Sequence, residues 1–209
     1  MDRNLSKLSL AKKQKSGIIF NTTNEMEKMM SKKVLVPLAE GTEEVELTSI
    51  VDILRRAGAD VTVAAVDEIQ VTASRGMKFV ADVTLSDVAG NEFDLIVLPG
   101  GMPGAQYLCD SDELIAMLKK QEEAGRLIGA ICASPFIVLE QKAIAKGCQK
   151  TCYPSMIEKL TNGVDEKVVV DQYCITSQGP GTALAFAVKL VELLFDKAKA
   201  DKIAKEILL

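Results

Sequence analysis

Apolar and polar positions along this chain fall into blocks of two kinds. Short apolar runs occur at Val34–Leu38, Val61–Ala65, Leu95–Leu98 and Leu127–Ile131. Runs this short and this rich in Val, Ile and Leu read as strands buried on both faces. Between them lie longer stretches in which apolar residues recur every three or four positions. Leu47, Ile50, Val51 and Leu54 make one such stripe, with Glu43, Glu44 and Glu46 at its start, Arg55 and Arg56 in its last turn and Gly58 as its stop. Thr42 is the expected cap of this helix. Further helices are predicted over Asp112–Ala124, Ala133–Glu140, Thr182–Phe195 and Lys197–Leu208. Further strands are predicted over Gln149–Cys152, Lys167–Val170 and Tyr173–Thr176. Gln70–Ala73 and Lys78–Ala81 flank Ser74-Arg75-Gly76 as a hairpin. Strands that alternate with helices pair in parallel through right-handed crossovers. The predicted fold class is α/β, a three-layer sandwich around a mostly parallel sheet.

The pattern begins only at Lys33. Residues 1–31 are rich in Lys, Ser, Asn and Met, with Asp2, Glu25 and Glu27 as their acids. Two readings of this N-terminal extension stand side by side. It is a targeting presequence for an organelle, or a disordered tail or extra sequence ahead of a start at Met30. Residues 32–209 then form one domain, with no linker inside it.

Composition narrows the function. The chain has 209 residues, 48% of them hydrophobic, and a net charge of −4. No apolar run approaches the ~20 residues needed to span a bilayer. An acidic balance does not suit broad phosphate neutralisation, so nucleic acid is not expected as the main partner. The five cysteines, Cys109, Cys132, Cys148, Cys152 and Cys174, are odd in number and form no CxxC pair. Free thiols in a reducing, cytoplasmic compartment follow. The count of histidines is zero. That removes Cys-His and Ser-His-Asp catalysis and HExxH metal sites. Proton transfer here must use a carboxylate, a thiol, Tyr, Lys or water. No metal or organic cofactor is expected.

Ligands of open α/β sheets bind beyond the carboxyl ends of the strands. Three such ends carry unusual residues. Cys132 follows the strand Leu127–Ile131 directly and precedes a helix. A residue there sits on a tight turn, exposed at the sheet edge. The adjoining helix N-terminus favours an anion and should lower its thiol pKa. Gly100-Gly101 follows the strand Leu95–Leu98, where backbone N–H groups together with that of Ala133 suit an oxyanion. Glu46 follows the first strand, and a carboxyl held against a thiolate supplies the acid/base function that no histidine provides. Glu43 and Glu44 are expected to complement the helix dipole, as is Arg56 at the other end. Cys109 is expected to be partly exposed and oxidisable, and Cys174 to be core. Gly179-Pro180-Gly181-Thr182 reads either as site rim or dimer contact, or as a plain helix-start turn.

Taken together, Lys33–Leu38, Gly41-Thr42-Glu43-Glu44-Val45-Glu46, Val51–Gly58, Val97-Leu98-Pro99-Gly100-Gly101, Ala130-Ile131-Cys132-Ala133 and Ser177–Thr182 resemble the DJ-1 subgroup of the DJ-1/PfpI superfamily, from about residue 33 to 200. The resemblance implies a flavodoxin-like sandwich that forms homodimers. It implies Cys132 as nucleophile, a protonated Glu46 touching it, and the N–H groups of Gly101 and Ala133 as oxyanion donors. It implies a small aldehyde substrate: methylglyoxal-type 2-oxoaldehydes converted to 2-hydroxy acids without glutathione, with deglycase activity on protein or nucleotide adducts as related chemistry. Redox sensing or chaperone action through oxidation of Cys132 is the alternative. The sequence departs from many animal members at Tyr153, which stands where they carry histidine, as in bacterial and plant relatives. Tyr153 is expected at the site rim with Gly100, and the departure argues against a Cys-His protease.

Overall fold

The computed structural model describes residues 31–209; both readings of the N-terminal extension lie outside them. The described unit is built on a seven-stranded sheet. In chain order its elements are β1 (Lys33–Leu38), α1 (Glu44–Arg56), β2 (Asp60–Ala65), the hairpin β3 (Gln70–Thr72) and β4 (Lys78–Val80), β5 (Val83–Thr84) and β6 (Leu95–Leu98). There follow α2 (Gly104–Asp110), α3 (Asp112–Glu123), β7 (Leu127–Ile131), a π-helix (Pro135–Glu140), a 3-10 helix (Pro154–Lys159), β8 (Val168–Asp171) and β9 (Cys174–Ser177). A short 3-10 turn (Pro180–Thr182), α4 (Ala183–Leu194) and α5 (Lys197–Glu206) close the chain.

Strand order is β5-β2-β1-β6-β7-β9-β8, and only the β8–β9 pair is antiparallel. The apolar runs supply the middle of this sheet: Val34, Leu35, Val36, Leu95 and Val97 are fully buried. Alternate side chains of these strands feed two cores. One lies under α1, α4 and α5, around Ile50, Phe186 and Leu190. The other lies under α2, α3 and the π-helix, around Leu108, Leu118 and Leu139. Helices therefore cover both faces, and the flavodoxin-like three-layer α/β sandwich holds.

The chain leaves β1 in one direction to β2 and returns on its other side as β6. The loops after β1 and β6 thus diverge, and a crevice opens at their carboxyl ends. β7 is the next strand along. The three strand ends singled out in the sequence are neighbours for this topological reason.

Several local expectations need correcting. The α1 cap is Glu43, whose carboxylate accepts from the Glu46 N–H at 2.8 Å. Thr42 instead turns back to accept from the Ala39 N–H. Gln149–Cys152 is not a strand: it makes one isolated bridge, Lys150 to Gly163. The segment after Cys132 is wound as a π-helix, with Gln141 N–H bonding to Phe136 C=O and Ile144 N–H to Leu139 C=O, five residues apart.

Candidate active site

Cys132 takes up where β7 ends. Its N–H donates to the Ser177 carbonyl of neighbouring β9, and its own carbonyl accepts from the Tyr153 N–H at 2.8 Å. Between these two bonds its φ is +64°. A left-handed conformation costs an L-residue roughly 1–2 kcal/mol. The strain lifts the sulfur out of the sheet edge. Cys132 is half-buried, whereas Cys109, Cys148, Cys152 and Cys174 are buried. Cys109 was expected to be partly exposed; its position on the inner face of α2 buries it.

Glu46 sits one turn into α1, fully buried. Its Oε2 accepts from the Gly100 N–H at 2.7 Å. Its Oε1 has no nitrogen or oxygen partner; the group it meets is the Cys132 sulfur. The N–H groups of Gly101 and Ala133 donate toward that sulfur. Gly100 therefore serves the carboxyl, and Gly101 with Ala133 faces the thiol. Both glycines are needed for space. A Cβ on Gly100 would stand 2.7 Å from the Cys132 Cβ and 2.8 Å from Glu46 Oε2, and one on Gly101 would stand 2.5 Å from the Glu43 N.

The electrostatics differ from the sequence expectation. Burial raises the Glu46 carboxyl to about 7, against the opposing Gly100 and Cys132 hydrogen bonds. The Cys132 thiol is not lowered. Burial, then the Glu46 charge and hydrogen bond, push it up to about 12, although the Gly101 and Ala133 amides pull the other way. In contact, the two groups titrate as a coupled pair: the ionised carboxyl holds the proton on the thiol, and a proton passed to the carboxyl leaves a thiolate. One of the pair's two forms is thus a thiolate hydrogen-bonded by a carboxylic acid and two amides.

Cys132 lines a cavity of about 450 Å³ with Glu43, Arg75, Met102, Tyr153 and Met156, among others, and Glu46 lies behind it. Tyr153 is 47% exposed at its mouth, and its ring edge lies against Gly179. Gly179 also approaches the sulfur and Glu46 Oε1, where a Cβ would stand 3.9 and 4.0 Å away. Gly179 and Pro180 thus border the site, while Pro180–Thr182 is also the turn that starts α4. Arg75, Met102 and Met156 carry no sequence signal: the first two lie in turns and Met156 in a 3-10 helix too short to show a period. Glu44 instead ties the hairpin turn down, accepting from Ser74 Oγ and the Arg75 N–H. Arg56 pairs on the surface with Asp52 at 2.7 Å, away from the site. A somewhat larger cleft of about 520 Å³ lies beside β2, lined by Glu40, Asp67 and Tyr107 among others. No cysteine lines it, so chemistry rather than size marks the Cys132 cavity.

Among the described residues no His/Cys/Asp/Glu cluster suits a metal ion, and no helix is long and apolar enough to cross a membrane. Residues 32–193 match the DJ-1/PfpI family model. The chain is 45% identical over 184 residues to "Protein dj-1beta" of Drosophila melanogaster, covering 86% of this chain and 98% of that one. It is 46% identical over 176 residues to "Protein DJ-1 homolog B" of Arabidopsis thaliana, covering 83% of this chain but 40% of that protein. This chain spans less than half the length of the two plant relatives it matches. It is also 38% identical to "Glutathione-independent glyoxalase DJR-1.2" of Caenorhabditis elegans, covering 84% of this chain and 95% of that one. Among solved structures, oxidized DJ-1 of Toxoplasma gondii superposes with a TM-score of 0.84 at 44% identity, over 85% of this chain and 98% of that one. With its sheet order, its strained cysteine and these similarities agreeing, the chain belongs to the DJ-1/PfpI family.

Proposed function

We propose that this protein is a cysteine-dependent, glutathione-independent glyoxalase that converts methylglyoxal-type 2-oxoaldehydes to 2-hydroxy acids. The observation that carries the reading is the buried Glu46 carboxyl held against the Cys132 sulfur, with the Gly101 and Ala133 amides facing it, in a chain without histidine. The glyoxalase name of the worm relative supports it.

The reaction runs as follows. The Cys132 thiolate adds to the aldehyde carbon, forming a C–S bond and moving the carbonyl electron pair onto oxygen. The Gly101 and Ala133 N–H groups stabilise that oxyanion, and it takes the Glu46 proton to give a hemithioacetal. Glu46, now a carboxylate, removes the hydrogen from the former aldehyde carbon as the hydroxyl proton on that carbon passes to the adjacent ketone oxygen, giving an enediolate. Return of the proton to the second carbon gives a 2-hydroxy thioester. Water attacks the thioester, releases the 2-hydroxy acid and leaves the cysteine as it began. The sum is one aldehyde and one water to one 2-hydroxy acid, with no net oxidation and no external reductant.

The test is lactate formation from methylglyoxal. Cys132→Ala is expected to abolish it, and Glu46→Gln to lower it at least 100-fold, within the roughly 10²–10⁴-fold that a positioned acid/base contributes. Undiminished lactate in either variant removes the mechanism.

One observation favours a second reading, in which oxidation of Cys132 is the signal. Among the five cysteines it alone is not buried, and its acid and amide neighbours suit a sulfinate. Mild peroxide followed by peptide mass mapping should then modify Cys132 first. Oxidation of Cys109 with Cys132 intact rejects that reading.

A further inference from the structure

Lys150 is fully buried, a rare state for a lysine. Its ammonium has three neighbours: the Ala145 carbonyl at 2.8 Å, the Cys148 carbonyl at 3.3 Å and Glu140 Oε2 at 3.3 Å. The two carbonyls accept hydrogen bonds, whereas the Glu140 contact is an ion pair: its Oε2 has no hydrogen-bond partner. Glu140 is held from its other side, where Oε1 accepts from the Thr161 N–H at 3.1 Å and from the Thr161 hydroxyl. The Lys150 backbone is bonded in turn to Asn162 and Val164. Such a pair rarely improves stability over apolar side chains of equal volume; what it adds is direction.

The directions here lead to the thiol. Glu140 ends the π-helix, whose other end is joined to Cys132 through Ala133 and Ser134. From Lys150 the chain runs through Thr151, whose N–H donates to Thr176 Oγ1 at 2.9 Å, and Cys152 to Tyr153. The Tyr153 N–H then bonds the Cys132 carbonyl. Residues 132–140 and 150–153 therefore form two rails, tied at the site end by a peptide hydrogen bond and at the far end by the Glu140–Lys150 pair. The intervening turn contains two alanines with positive φ, Ala143 at +56° and Ala145 at +50°. The Ala145 N–H donates to Glu122 Oε1 at 2.9 Å, and its carbonyl is the nearest acceptor of the Lys150 ammonium, so the lysine adds a second hold on this residue.

We propose that Lys150 is a positioning residue for the nucleophile: clamped on Glu140, it fixes the peptide on either side of Cys132 and so the aim of the Ala133 N–H at the sulfur. This role lies beyond the proposed reaction and does not depend on it, because any electrophile can report on the thiol.

The test is the pH dependence of Cys132 carboxymethylation by iodoacetamide, followed by peptide mapping, alongside thermal melting. Lys150→Met keeps length and volume but strands the Glu140 carboxylate, so it should melt well below wild type. Adding Glu140→Gln removes the stranded charge and should restore most of the melting temperature. A merely structural lysine would then show wild-type alkylation. The positioning role predicts instead that the double variant alkylates at least threefold more slowly at pH 7, with its midpoint moved to higher pH. Thr161→Val, on an exposed residue, loosens only the hold on Glu140 and should slow alkylation in the same direction by a smaller factor. A wild-type profile in the folded double variant overturns the proposal. If neither Lys150 variant folds, a wild-type profile in Thr161→Val overturns it.

Discussion

At the scale of single residues, Glu46 is the buried group whose ionisation the fold opposes most clearly. Its folded pKa of about 7 lies above the ordinary value of 4.5. The native state therefore binds the proton more tightly than the unfolded chain. Stability contributed by protonated Glu46 is full below about 4.5 and is lost as pH rises toward 7, by about 3 kcal/mol in all. Glu46→Gln removes the ionisation while keeping an acceptor for Gly100. The variant should melt higher than wild type at pH 8 and show no such gain at pH 4.5, measured by thermal scans at the two pH values. A gain of equal size at both would show that burial does not set this carboxyl apart. Cys132 and Glu46 were legible because each follows a strand end that apolar patterning locates. The direction of the thiol shift was not. The helix-end argument considers one neighbour, whereas burial and the facing carboxyl decide the outcome. Lys150 was invisible for a related reason. It falls in Gln149–Cys152, which apolar patterning reads as a strand and not as the isolated bridge the chain makes there, so nothing marks its side chain as buried against Glu140.

At the scale of elements, the site depends on close approach between the loop after β6 and the turn after β7. Gly100 needs no unusual φ; it needs the absence of a Cβ. Gly100→Ala would force a carbon within 2.9 Å of the Ile131 carbonyl and nearer still to Cys132 and Glu46. Overpacking of this kind costs about 1–3 kcal/mol. It also pushes apart the two groups that share a proton. The expected outcome is a lower melting temperature together with loss of lactate formation. Full activity in Gly100→Ala would mean that the loop can withdraw and that the contact is not essential. Most elements were predictable, including the short hairpin strands β3 and β4, but α2 and β5 were not. The stripe of α1 and the runs of β1, β6 and β7 identify themselves by period. Helix α2 begins directly after Pro103 at Gly104, both turn signals, and β5 has two residues, too few to show a period. The π-helix was read as an ordinary helix because its apolar positions still face the core; only its hydrogen-bond ladder reveals the extra residue per turn.

At the scale of the whole molecule, the strand order places β1, β6 and β7 side by side and turns their carboxyl ends into one crevice. Each strand delivers one component: the acid after β1, the amides and clearance after β6, the sulfur after β7. The alternation of runs and stripes was enough to foresee the sandwich, and the topological switch explains why the three motifs meet. The most direct measurement of the central claim, that two of these components hold a single proton, is the alkylation rate of Cys132 against pH in wild type and in Glu46→Gln. In wild type the rate should rise with a midpoint near 7, where the pair loses its first proton and becomes anionic. In the variant the sulfur titrates alone in a buried setting, and the midpoint should move above about 8, toward and past the ordinary thiol range. A midpoint near 7 in both proteins would contradict the account.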